Sequence, residues 1–146
     1  MRTMPLRRVV LAVLVAATVA VGPAAWAQDA TFDFTIDAAR LATDRHTIVV
    51  TGTYTCGPLD LNVTGGGGTV DLTVSQRRVT GFGFVPIEVC DGTAQTYQAD
   101  VTTFGDRRFT QGKATASASG FVTGERDGES VTLFTSIENQ RITISS

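Results

Sequence analysis

The chain has 146 residues, with 12 basic and 14 acidic side chains and one histidine, for a formal charge of −2. That length supports a single domain with its own core. The slight acidic excess gives no compositional basis for gripping a phosphate backbone, which calls for a basic patch, so nucleic acid is not an expected partner.

Arg2, Arg7 and Arg8 precede an apolar run from Val9 to Val21, and Ala25-Trp26-Ala27 follows as a small-x-small cleavage site. Charged start, apolar middle and small-residue site in this order predict a secretory signal peptide over residues 1–27. The apolar run is thirteen residues, short of the roughly 20 that cross a bilayer. Cleavage leaves one β-sandwich domain, residues 28–146, with nine basic against 14 acidic residues. The protein is expected to be secreted, with no stable membrane anchor once the signal is removed.

The mature region reads as short alternating runs separated by Gly, Asp, Asn and Pro clusters, the pattern of an all-β domain. Phe32, Phe34 and Ile36 alternate with polar residues in a first strand, and Ala38 to Ala42 is expected as a turn. Thr47 to Cys56 gives the clearest alternation. Ile48, Val50, Gly52, Tyr54 and Cys56 share one face, and the intervening threonines and Val49 share the other. After Gly57-Pro58, Leu59, Leu61 and Val63 are expected to resume a strand. The odd step from Val63 to Val70 requires a hairpin loop or a bulge around Gly65 to Gly68.

Val70, Leu72 and Val74 form the next run, and Gln76-Arg77-Arg78 a turn. In the segment Val79 to Val85, Phe82 and Phe84 are expected in the core, leaving Gly81 and Gly83 bare on the other face. Pro86 confines that strand to an edge or an end. Tyr97, Ala99 and Val101 carry the following strand. Ala114, Ala116, Ala118, Gly120 and Val122 then present a small inward face that calls for bulky neighbours opposite. Val131, Leu133 and Ile137 continue, and a face shift near Asn139 marks a turn or bulge. The resulting seven to eight strands are the number an immunoglobulin-like antiparallel β-sandwich requires.

Cys56 and Cys90 are the only cysteines, and in an exported chain they are expected to form one disulfide. Closing a loop of about 35 residues contributes roughly 3.5 to 4 kcal/mol in the chain-entropy model. A redox-active pair would be expected at the close spacing of C-x-x-C. No tryptophan lies between the two, so the bridge is expected to clamp one end of the fold. The loops it tethers, Gly57, Pro58 and Leu59 on one side and Asp91, Gly92 and Thr93 on the other, are the candidate binding surface.

Thr51-Gly52-Thr53-Tyr54-Thr55-Cys56, Cys90-Asp91-Gly92-Thr93-Ala94-Gln95-Thr96-Tyr97 and Gly112-Lys113-Ala114-Thr115-Ala116-Ser117-Ala118 together resemble small secreted single-disulfide proteins of high-GC Gram-positive bacteria. The resemblance implies an immunoglobulin-like sandwich and export, and supplies no activity. The chain is also similar in size and class to the apoproteins of secreted enediyne chromoproteins, which hold a small apolar ligand in a sandwich cleft. It differs from them in having only one cysteine pair.

No residue set carries an obvious chemistry. His46, the one histidine, sits in a polar turn with no G-x-S-x-G elbow and no free thiol to partner it. Asp91, Asp127 and Glu129 lie beside glycines but lack the ligand density of a cation loop. The one tryptophan, Trp26, lies within the expected signal peptide, so the mature domain lacks the usual sugar platform. The expected function is a secreted, non-enzymatic module that uses no cofactor or metal and binds an extracellular protein or cell-wall component. A small protease inhibitor or small-ligand carrier is the alternative, and a minor hydrolase a lesser one.

Overall fold

A computed structural model describes residues 29–146; the expected signal peptide lies outside them. Alternation builds every element. The strands are β1 (Thr31–Phe34), β2 (Ala38–Leu41), β3 (Thr47–Gly57), β4 (Gly67–Gln76), β5 (Val79–Ile87), β6 (Ala94–Thr103), β7 (Gly112–Arg126) and β8 (Glu129–Ser145). No helix occurs among the described residues.

β3 is the strand whose alternation is cleanest in sequence, and it is hydrogen-bonded along both edges. β6 pairs with it from Thr47↔Thr102 to Thr55↔Ala94. β1 and β2 share its other edge, at Phe34↔Tyr54 and Ala38↔Thr51 respectively. Amides of Thr35 and Asp37 continue that ladder by donating to the carbonyls of Thr53 (2.8 Å) and Thr51 (2.9 Å). The segment expected as a turn at Ala38 to Ala42 is therefore mostly strand, because β3 offers it a free edge.

From β6 the sheet passes through β5, β4, β7 and β8 and returns to β2, closing a seven-strand barrel with β1 beside β2. Two seams complete the ring. β2 runs parallel to β8 at Ala39↔Ile144 and Arg40↔Ser145, and β5 meets β6 at Gly81↔Thr103 and Phe82↔Thr102. The immunoglobulin-like sandwich expected from the strand count is thus corrected to a closed barrel. Strand count and alternation are the same for both architectures, and the difference lies in the two seams, which pair residues far apart in sequence. Closure leaves the seven strands without a fully open edge.

The barrel interior is filled. Phe109, Ile48, Val50, Val70 and Val101 are fully buried, and the inward alanines of β7 make room for larger side chains as their size implies. Phe109 comes from the β6–β7 connection, whose Phe109 amide donates to the Arg45 carbonyl (2.9 Å). A Cβ on Gly81 would stand 2.9 Å from the Phe109 ring, and one on Gly83 would stand 2.4 Å from the Asp100 carbonyl oxygen. The bare face of β5 is therefore its inner face. Phe82 and Phe84, expected in the core, point outward and are 50% and 67% exposed.

One further expectation changes and one is resolved. Leu59 to Val63 does not resume a strand; it forms part of a connection fixed by the bridge Asp60↔Glu125, with both amide–carbonyl bonds at 2.9 Å. The face shift near Asn139 is a bulge in β8 opposite Ala116 and Ala118. Asn139 adopts φ 52°, and its amide donates to the Ser117 hydroxyl at 3.1 Å.

Candidate functional site

The disulfide forms between Cys56 and Cys90, and both half-cystines are buried. It joins the end of β3 to the β5–β6 connection, so it clamps one end of the barrel. The two tethered loops come together there. The Leu59 amide donates to the Cys90 carbonyl at 2.7 Å, and the Gly92 amide to the Cys56 carbonyl at 2.8 Å. Within the second loop, Asp91 Oδ1 accepts from the Thr93 hydroxyl (2.6 Å) and the Thr93 amide (2.9 Å). These bonds, the hydroxyl first, hold the Asp91 carboxyl below the usual carboxylate range. Of the six loop residues singled out in the sequence, Leu59 is buried, while Pro58, Asp91, Gly92 and Thr93 are exposed and Gly57 half-exposed.

A second surface emerges from the inverted β5. Outward positions of neighbouring strands fall into register: Phe84 beside Asp71, Asp71 beside Ser119, and Ser119 beside Ser136. One row along, Thr69 stands beside Phe121, and Phe121 beside Phe134. Phe121 and Phe134 are 44% and 75% exposed. Phe84 on β5 and Phe134 on β8 lie three strands apart in a ring of seven, so it is Phe121 and Phe134 that are immediate neighbours.

Beside Phe121 and Phe134 the floor is hydroxylated. Two depressions of about 460 and 180 Å³ meet at Asp71, Ser119 and Ser136, and form one open trough. Phe104 in the β6–β7 connection, 77% exposed, lies by Phe82 on β5 with ring centroids 5.9 Å apart, outside this trough. Phe121 and Phe134 were not singled out from the sequence, although each has the parity of serines and threonines on its strand and the opposite parity to Val122 and Leu133.

His46 contacts no cysteine or carboxylate through its ring. Its Nδ1 lies 3.3 Å from the Thr103 hydroxyl, which donates to the Arg107 carbonyl at 2.9 Å. The His46 amide donates to Asp44 Oδ1 at 3.0 Å. This is the geometry of a loop brace. Compared with known protein families and with curated proteins, the chain matches no family model and no curated sequence.

Proposed function

We propose that the protein is an exported, non-enzymatic binding module whose ligand lies in the outer trough of β4, β7 and β8. One observation carries this reading: Phe121 and Phe134 stand exposed side by side on β7 and β8, against a depression with a hydroxylated floor. Exposed aromatics gathered around a polar floor mark interaction sites. The disulfide is compatible with an extracellular setting, and the N-terminal pattern supports export.

The trough fits a glycan. A sugar ring has apolar C–H faces that stack on phenylalanine and hydroxyl edges that pair with Ser, Thr and Asp side chains. Phenylalanines on the outer face here supply the platform that the missing tryptophan does not. The expected partner is consequently a neutral stretch of cell-wall or other extracellular polysaccharide. Retention on insoluble cell-wall polysaccharide is expected for the wild type. It should fall about tenfold or more, the equivalent of about 1.4 kcal/mol, in Phe121→Ala/Phe134→Ala. Unchanged retention in that variant refutes the trough.

The braced loop pair at the disulfide supports inhibition of a secreted protease as a second reading, since a rigid loop loses little entropy on binding. A panel of secreted proteases that are all unaffected by the protein removes it.

A further inference from the structure

The charge of this protein is segregated along the barrel axis, which its net charge conceals. At the disulfide end lie Asp60, Glu88, Asp91, Glu125, Asp127 and Glu129, with Arg126 the nearest cation. Arg126 is paired with Asp127 at 3.8 Å, the one ion pair among the described residues. The opposite end collects the other sign. Arg45 lies in the β2–β3 connection, Arg77 and Arg78 in the β4–β5 turn, and Arg107 and Arg108 in the β6–β7 connection. Lys113 and Arg141 stand where β7 and β8 reach that end, beside Thr143 and Thr115 respectively.

These seven are seven of the nine Lys and Arg residues among the described residues, and all are exposed. Two side-chain carboxylates lie in the connections at that end, Asp44 and Asp106, with Asp100 three residues before the end of β6. Asp44 is already engaged by the Thr47 amide (3.0 Å), the Thr47 hydroxyl (3.1 Å) and the His46 amide (3.0 Å).

Part of this end is a shaped site. A depression of about 470 Å³ is lined by Arg77, Lys113 and Arg141 together with the hydroxyls of Ser75, Thr115 and Thr143. Its rim is held by the buried side chain of Gln76. Gln76 Nε2 donates to the Thr110 carbonyl at 2.8 Å, and Gln76 Oε1 accepts from the Thr110 amide at 2.9 Å. The β4–β5 turn is thereby tied to the start of β7, so Arg77 and Lys113 are carried by one braced unit. Arg107 adds a further tie by donating from Nη1 to the Arg78 carbonyl.

We propose that this basic end is a second binding site, for an acidic polysaccharide. Unpaired cations around a hydroxyl-lined depression favour carboxylate- or sulfate-bearing groups, which they bind by charge-assisted hydrogen bonds. The cations occupy all three connections at this end and cover a surface wider than one anionic group, which selects a polymer over a single ion. The extracellular setting read from the disulfide selects polysaccharide over nucleic acid. Asp71 and Glu138 line the outer trough and repel such a polymer there, so the two sites are distinct and this one does not rest on the trough.

Hexagalacturonate and its fully methyl-esterified form share a backbone and differ in charge, which makes them direct probes. In titrations of the mature protein at low salt, the acidic hexamer should bind at least tenfold tighter than the ester, with affinity that falls as salt is raised. Arg77→Gln/Lys113→Gln/Arg141→Gln should lose at least tenfold toward the acidic hexamer. Arg126→Gln, at the other end, should lose nothing. Matching thermal midpoints establish that the variants are folded. Equal binding of acid and ester, or full affinity in the triple variant, overturns the site. Tighter binding of duplex DNA at the same salt overturns the choice of polymer. Salt-sensitive self-association of the protein alone assigns the basic end to the acidic end of a second copy, and also overturns it.

Discussion

Filling the space beside Gly81 is the sharpest perturbation of the barrel. A Cβ at this position would lie 2.9 and 3.0 Å from Phe109 Cζ and Cε2, and 3.1 Å from Val101 Cγ1. Phe109 and Val101 are fully buried, so neither can move into solvent to accommodate it. Overpacking of this kind costs about 1 to 3 kcal/mol, offset by about 0.4 to 1 kcal/mol from the smaller entropy of the unfolded alanine chain. Gly81→Ala should therefore destabilise by about 1 to 2 kcal/mol. Phe109→Leu alone leaves a cavity and should cost a similar amount, about 1 to 2 kcal/mol.

Together the two changes relieve each other, because the added methyl enters volume the ring has vacated. Urea unfolding of the four proteins with the disulfide intact gives the cycle. The double variant should be more stable than the sum of the single effects by about 1 kcal/mol. Additivity to within about 0.3 kcal/mol refutes the contact, and with it the placement of Phe109 inside the barrel against β5.

Replacing Cys56 and Cys90 with alanine frees a loop whose ends are 34 residues apart in sequence, and should cost about 4 kcal/mol of unfolding free energy. A loss below about 1 kcal/mol contradicts a structural role for the bridge. Tyr97 sets an alkaline limit. Its hydroxyl donates to the Thr35 carbonyl at 2.7 Å, and its ring stacks on Phe34 at 4.6 Å. Burial first, and the Asp37 carboxylate second, push its phenol well above the ordinary range. The unfolded chain therefore releases this proton first, near the usual tyrosine value of about 10. Tyr97's contribution is fully present below that pH and declines as pH rises beyond it. Tyr97→Phe should cost about 1 kcal/mol at neutral pH and flatten the decline above about pH 10; an unchanged alkaline slope contradicts it.

The residues show which features local pattern determines. β3 was readable to within a residue because its inward side chains alternate without interruption and end in a cysteine. The inward alanines of β7 and the bulge at Asn139 were readable for the same reason, each following from the parity of nearby side chains, whereas parity alone gave a strand at Leu59 to Val63 that does not form and missed β2. The barrel was not readable, since its closure depends on Ala39 meeting Ile144 and Gly81 meeting Thr103, contacts with no local signature.

Parity also failed where hydrophobicity was trusted over size. Phe82 and Phe84 were assigned inward because they are aromatic, yet the inner face of β5 must clear Phe109 and the β6 backbone, and only glycine does so. Phe109 itself lies in an irregular segment with no periodicity to reveal it. The basic end was invisible to composition because its cations come from three separate connections and two strand ends. Each of them alone reads as an isolated polar residue, and the barrel closes them into one surface.

The most direct test of the functional account is a map of amide chemical shifts in the isotopically labelled mature domain, titrated with soluble neutral β-1,4-linked glycan oligomers. The expected result is saturable shifts at Asp71, Ser119, Phe121, Phe134 and Ser136, with Asp91, Gly92 and Thr93 unchanged. Shifts confined to the disulfide loops, or no saturable shifts at the trough, contradict it.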